Sequence, residues 1–312
     1  MDGGERHKGT GNTFETLAGS LLFIAHNRNN RNKMISLLRI ELYKIFKRPR
    51  TYISFGIVTA ITFIIQLAML SGGRDFIAFG MQGVSEQFDI QGHILNGYLV
   101  TYIILQSLLI HIPLLVALVA GDALAGEANL GVLRLLLTKP IARSRLVLVK
   151  FISSVIYTIL LIVWLAIVAL FLSLLLFGPG DMINMKSDAF VLILKNDIMW
   201  RYVAAFGFAT LAMTTIAALS LFLSAFADNS IGPIMTTMGM VVVLTILSNL
   251  ELPLFNIIKP YLFTTHMIGW KGFFDDPVPY AAIGRSAMVL VGYTVGFVTA
   301  TILYFNKKDI KA

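Results

Sequence analysis

The sequence contains no cysteine, which excludes disulfides and thiolate metal sites without assigning a compartment. Charge is scarce as well: 13% of the 312 residues are charged, against roughly 25% in a soluble globular domain. The short signatures of soluble chemistry are missing too. There is no Gly-x-x-x-x-Gly-Lys-Ser/Thr loop to cradle a nucleoside triphosphate, no His-Glu-x-x-His pair for a metal and no Gly-x-Ser-x-Gly elbow. The five histidines, at 7, 26, 93, 111 and 266, are scattered. No catalytic set is visible and no metal site is expected, so an intramembrane enzyme lacks the residue pair it would need.

What the sequence has instead is apolar length. Hydrophobic residues make up 57% of the chain, and a helix needs about 20 of them in a row to cross a bilayer core of roughly 30 Å. Six blocks qualify: Thr51–Leu70, Gly97–Ala120, Phe151–Phe177, Tyr202–Ala227, Ile231–Asn249 and Ser286–Phe305. In lipid each must satisfy its own backbone polar groups, so each is read as a helix. They lack strict alternation and are twice the length of a barrel strand, which excludes a β-barrel. The fold expected is an all-α integral membrane protein with six transmembrane helices.

Lysine and arginine orient it. With the N-terminus in the cytoplasm, the inner segments carry 16 basic residues and the outer ones 5, or 7 if Arg201 and Arg285 at helix ends are counted. Both termini are therefore expected inside, and the +8 net charge reads as topology and lipid-headgroup contact, with no nucleic acid required. The outer loops of 26, 23 and 32 residues are too short for an independent domain. The last of them holds Tyr261, Phe263, Trp270, Phe273 and Phe274, read either as an aromatic belt or as a partly buried cap.

Residues 1–33 are polar and Asn-rich and form a tail or upstream extension, with organised sequence beginning at Met34. Residues 34–312 then form a single membrane domain. Met34–Pro49 is expected as an interfacial helix with Ile35, Leu38, Leu42, Ile45 and Phe46 towards lipid and Lys44 and Lys47 opposite. It is either a generic basic anchor or an elbow that positions span one. Inside the spans, His111 before Pro113, Gln66 and Gln106 are either functional polar groups or simple interhelical hydrogen-bond partners. Gly292 and Gly296 form a Gly-x-x-x-Gly pair suited to close helix packing, within the chain in preference to a homodimer seam.

The long inner connection between spans two and three is the most informative stretch. It contains Gly126-Glu127, Gly131-Val132-Leu133-Arg134, Leu137-Thr138-Lys139-Pro140-Ile141-Ala142-Arg143 and, opening the next span, Lys150. With Glu41-Leu42-Tyr43-Lys44, Arg48-Pro49 and the closing Phe305-Asn306-Lys307-Lys308-Asp309-Ile310, this ordered set resembles the ABC-2 type transporter permeases, Val132 standing where Thr is common. On physical grounds Gly126 and Gly131 remove bulk for close approach by a helix or partner. Glu127 and Arg134 share a helix face, Lys139-Pro140 favours an extended turn, and Arg143, Arg145 and Lys150 meet headgroups.

The resemblance implies a non-enzymatic permease subunit of an ATP-driven exporter in a bacterial plasma membrane, the cell inner membrane. It implies a coupling helix made from Gly126, Glu127, Gly131, Arg134, Thr138, Pro140 and Arg143. It also implies a separate ABC ATPase subunit carrying ATP and Mg²⁺, and a second copy of this permease or a homologous one. Spans two and five would line the route, with Gln106, His111, Thr236, Thr237 and Thr245 as its polar groups. The rival is a six-span channel or secondary carrier independent of nucleotide. Single-cysteine labelling tests the topology: Ser144 and Lys311 should react from the cytoplasm, and Asp89, Asp188 and Asp276 from outside. Labelling of Asp188 from the cytoplasmic side alone would overturn six spans.

Overall fold

Among the described residues, five helices are long and apolar enough to cross a membrane, and a sixth crossing exists if a helix pair bent by 55° counts as one span. The computed structural model describes residues 34–80, 95–108, 111–131, 142–185, 190–250 and 256–308. Helix α1 covers 34–47 and leads through Arg48 into α2, Pro49–Gly80. The bent pair is α3, Gly97–Ser107, and α4, His111–Ala120. A short helix α5, Asp122–Asn129, precedes α6, Arg143–Ala166, whose span runs on through a π turn, Ile167–Phe171, into α7, Leu172–Phe177. Then come strands β1, Met182–Met185, and β2, Phe190–Ile193, and helices α8, Lys195–Ser224, and α9, Ile231–Asn249. The chain closes with 3₁₀ turns at Lys259–Tyr261 and Ile268–Phe274 around α10, Phe263–Met267, and with α11, Tyr280–Lys307.

Helices run beyond the apolar blocks because hydrogen bonding continues after hydropathy stops. The third span starts at Arg143 and the fourth at Lys195, each several residues before its apolar block. The fourth, α8, is the central element and packs on α4, α6, α9 and α11. Buried residues fill 61% of its apolar window, against 17 to 28% for the other long helices. Those others turn most of their apolar surface outward, as a lipid solvent requires.

Among the described residues the fold departs from all-α at one place. β1 and β2 pair antiparallel, with Met182 opposite Ile193, at the end away from α1, called here the hairpin side. The segment between α9 and α11 is a packed cap there. Phe263, Trp270 and Phe274 are buried, and Tyr102 meets Trp270 and Phe274 edge-on. Arg201 fastens it by donating to the carbonyls of Phe273 (3.0 Å) and Asp275 (2.7 Å), while its Nε and Nη2 hold Asp197. Asn184 of β1 donates to the Phe274 carbonyl at 3.0 Å. The cap reading of this loop therefore holds.

Polar side chains inside the spans act as straps. A π turn leaves carbonyls without helical partners, and here Val168 accepts from Gln66 Nε2 (3.3 Å) and Ala169 from Thr101 Oγ1 (3.1 Å). Gln66 Nε2 also reaches Ser173 Oγ at 2.9 Å, so it ties span one to span three. Gly97 allows α3 to touch α7 backbone to backbone: a Cβ there would lie 2.7 Å from Leu174 Cα and from the Ser173 carbonyl. By contrast, Gly292 and Gly296 are exposed, with nothing within 4 Å of a built Cβ. Their expected packing within the chain is not found among the described residues, because α11 turns this face outward.

These two environments give opposite expectations for one kind of change. Gly97→Val should destabilise by about 1–3 kcal/mol through overpacking, read as a lower unfolding midpoint in detergent. Gly292→Val should leave the midpoint in place. Equal effects would mean that the α3–α7 contact is looser than described.

Candidate functional site

At the end opposite the hairpin, called the basic side, seven charged side chains meet, and Glu41, Asp122, Glu127 and Lys150 among them are buried. α1 supplies Glu41 and Lys44, one turn apart. α5 supplies Glu127, and the second turn of α6 supplies Lys150. Lys44 Nζ lies 2.8 Å from both Glu41 Oε1 and Glu127 Oε1. Lys150 Nζ lies 3.0 Å from Glu41 Oε2 and 2.8 Å from Glu127 Oε2. Two carboxylates and two ammonium groups thus alternate around a neutral ring. The Lys150–Glu127 contact is an ion pair outside hydrogen-bond geometry, since Glu127 Oε2 has no such bond. Burial is deep: Lys150 is 1% exposed, Glu127 4% and Glu41 7%.

Asp122 forms the adjoining node. Its carboxylate faces Arg48 and lies 2.9 Å from Arg50 Nη1, and Ser230, just before α9, donates to it. The break at Pro49 is what turns both arginines towards it. A small cleft lies between the ring and this node, lined by Glu41, Lys44, Arg48, Asp122, Glu127 and Lys150 among others.

α5 itself is built from two borrowed devices. It has no side-chain cap of its own. Ser224 of α8 instead accepts from the backbone N–H groups of Leu124 (3.2 Å) and Ala125 (2.9 Å) and donates to the Gly121 carbonyl (2.6 Å). Gly131, at φ +68°, then turns the chain in the left-handed conformation that ends helices.

Several sequence expectations shift accordingly. Lys44 was expected opposite the lipid-facing side of α1; it and Glu41 turn inward to the ring, while Ile35, Ile40 and Tyr43 are exposed. The reason is the ring, which repays the desolvation of their charges. Gly126 does not make room for a partner: a Cβ there would run into the Asp122 carboxylate one turn earlier. Glu127 engages Lys44 and Lys150. Lys150 is buried in the ring and does not meet headgroups. Arg143 donates to the carbonyls of Phe305, Asn306 and Lys308, closing the end of α11. Arg134, Thr138 and Pro140 lie outside the described residues, as does the tail 1–33.

The route candidates do not converge. Gln106 accepts from Lys271 at 3.1 Å. His111 Nδ1 lies 3.2 Å from the Ser107 carbonyl at the bend of its own span. Thr236 is exposed on α9, and Thr237 is buried and bonded back to the Pro233 carbonyl at 2.6 Å. Thr245 borders an apolar cleft of about 500 Å³ with Val241, Ile246 and Met267. Sequence reasoning missed Asp122 and the joining of Glu41 and Lys150. The available signal was Glu41 itself, an acid three residues before a lysine on an otherwise apolar helix.

Residues 76–311 match the family profile described as "Protein of unknown function (DUF2705)". The chain belongs to the DUF2705 family. No curated protein matches it. The DUF2705 match takes in Asp122, Glu127 and Lys150, whereas Glu41, Lys44, Arg48 and Arg50 precede it.

Electrostatics give the α1 part of this DUF2705 site a pH signature. Burial opposes ionisation of Glu41, but Lys150 and Lys44 outweigh it and hold the carboxyl below its ordinary 4.5. Burial likewise opposes charge on Lys44, and its bonds to Glu127 and Glu41 outweigh it, holding the ammonium above its ordinary 10.5. The Glu41 contribution is complete above its unfolded pKa and is lost as pH falls through the lower folded value. The Lys44 contribution is complete below its unfolded pKa and is lost as pH rises through the higher folded value. Stability in detergent should therefore be level between these limits, and Glu41→Gln should shrink the drop on the acid side. Lys150→Met, which leaves two buried carboxylates sharing one lysine, should cost about 3–5 kcal/mol. A wild-type unfolding midpoint in Lys150→Met would show that the ring does not hold α1.

Proposed function

We propose that this chain is the membrane-spanning permease subunit of an ATP-driven ABC transporter, acting as an exporter in a bacterial plasma membrane. It has six spans, the bent α3–α4 pair counting as one, and both termini lie in the cytoplasm. ATP and Mg²⁺ belong to a separate ATPase subunit, and a second copy of this permease or a homologue completes the membrane part. The observation that carries the reading is α5. A short helix on the basic side, within the stretch that resembles ABC-2 permeases, is joined through buried ion pairs to α1 and to the third span. A force on such a helix moves both elements with it, because displacing either one strands a charge away from water.

The burial pattern of α5 supports a narrower choice of docking residues. Gly126 and Glu127 are turned inward and serve the joint. The outward end of α5 is Asn129 and Leu130, and Leu130 is 68% exposed. In this reading Leu130 docks on the ATPase, and Glu127, with Lys44 and Lys150, passes the motion on.

Leu130→Asp should abolish co-purification with the ATPase while membrane insertion and thermal stability stay normal. Glu127→Gln should preserve co-purification and lower transport-linked ATP hydrolysis. The measurement is subunit stoichiometry and ATPase activity of the purified complex. Transport by this chain alone in liposomes, unaffected by both substitutions, would overturn the reading in favour of a channel or carrier.

A further inference from the structure

Strands β1 and β2 turn one face to the protein and the other away from it. The inward positions Met182, Asn184 and Ile193 are buried. Met182 Sδ lies 3.8 Å from the Tyr202 hydroxyl, and Asn184 holds the cap through the Phe274 carbonyl. Strand alternation sends Ile183 and Leu192 to the opposite face, with Leu194, which follows β2 and is still extended. Ile183 stands opposite Leu192 in the register. Leu192 and Leu194 are 58% and 60% exposed. An antiparallel pair whose outer face meets water carries polar residues on it. The described outward positions of this hairpin are apolar, so water is the wrong neighbour for them.

The exposed surface runs on into α8. Leu194 leads directly into that helix. Met199 and Val203, four residues apart and so on one helix face, are exposed, with Trp200 beside them. α8 has 30 residues, about 45 Å at 1.5 Å per residue. That is the thickness of a whole bilayer with its headgroup layers, whose hydrocarbon core takes roughly 30 Å. The first turn of α8 therefore lies in the headgroup layer, and the hairpin joined to it lies at the same level. Trp200 fits that level. Its Nε1 donates to Asp197 Oδ1 at 2.5 Å, and the Arg201 guanidinium stands 5.3 Å from its ring centre. The polar edge of the indole is met from within the chain, and an amphipathic ring of this kind settles at the membrane interface.

We infer that the hairpin is a lipid-binding foot. Its outward face, Ile183, Leu192 and Leu194, lies with Met199 and Trp200 in the boundary between headgroups and acyl chains. Lys195 and Asn196, exposed between the two groups, reach the headgroups. The occupant is lipid because the face adjoins a helix whose length fixes its level in the bilayer. The inward face holds the cap, so the cap is tied to the bilayer as well as to the helices beneath it. This inference rests on the membrane reading of the chain and needs no ATPase partner, so it stands or falls separately from the proposed function.

The absence of cysteine lets single-cysteine variants of the full chain carry the test. Leu192→Cys and Leu194→Cys, each labelled with an NBD fluorophore, are placed in phosphatidylcholine nanodiscs, which leave both membrane faces accessible. Val203→Cys serves as the lipid reference, and Asp276→Cys, exposed in the cap segment, as the aqueous one. The quenchers are iodide in the buffer and phosphatidylcholine carrying a nitroxide high on its acyl chain. An interfacial apolar face sits about 5–10 Å deep, so the lipid nitroxide should quench both hairpin labels about twofold or more beyond iodide. Val203 should behave in the same way, and the order should reverse at Asp276. Ile193→Cys, turned inward, should be shielded from both quenchers; if it does not fold, the two leucine positions decide the matter. Either leucine label following Asp276 would place the face in water and overturn the inference. Leucine labels shielded from both quenchers would show protein covering the face, a second copy included, and would overturn it equally.

Discussion

The constraint on which this structure depends is the cost of a charge removed from water. A single ion moved into the interior costs several kcal/mol even after relaxation, and on the basic side the chain buries Glu41, Glu127 and Lys150 in one ring with the partly exposed Lys44. They persist because every ammonium has two carboxylate partners and every carboxylate two ammonium partners. Such a ring adds little net stability over an apolar packing of equal volume. What it adds is discrimination. If α1 slid by one turn along α5 and α6, the buried carboxylates and Lys150 would be left without their partners, and that arrangement is penalised steeply. The relative placement of three elements from distant parts of the sequence is thereby reduced to one.

The hairpin side is held differently. There the adhesive is aromatic area, with Tyr102, Tyr202, Trp270 and Phe274 packed edge-on, and the buried Arg201 gathers carbonyls while it pairs with Asp197. The two ends therefore respond to different conditions. Salt and pH act on the basic side, whereas substitutions that change volume act on the cap. Between them, α8 contributes to both: Arg201 at one end fastens the cap, and Ser224 at the other fastens α5.

Apolar length made five long helices legible in the sequence, and a sixth block without the bend that divides it. Helix ends were less legible, since hydropathy reports the bilayer core while Arg143 and Lys195 extend their helices beyond it. The ring was illegible as a unit. Glu41 and Lys150 are 109 residues apart, and no periodicity links them. Positive-inside counting treats Lys150 as one more headgroup contact, although the fold turns it inward. Gly126 misled for a related reason: space beside a glycine reads as room for another surface, and here the helix's own Asp122 occupies it. The two β-strands escaped notice because four residues each, just outside a membrane, leave no pattern to find. The cap was half legible, its aromatics marking an interface without showing that they pack.

The borrowed cap of α5 has a further meaning. Eight residues are too few for a helix to persist by itself in water, so α5 exists only while its first turn is completed from elsewhere. That completion is the Ser224 hydroxyl, which belongs to the fourth span, whereas α5 continues the second. The short helix is therefore a reporter of distance between two spans. If the fourth span withdraws by a single hydrogen-bond length, the N–H groups of Leu124 and Ala125 lose their acceptor together, and the helix unwinds from its membrane end. The spans thereby set whether α5 is folded, so that a movement among them is written into the short helix as readily as a movement of the helix is passed to them.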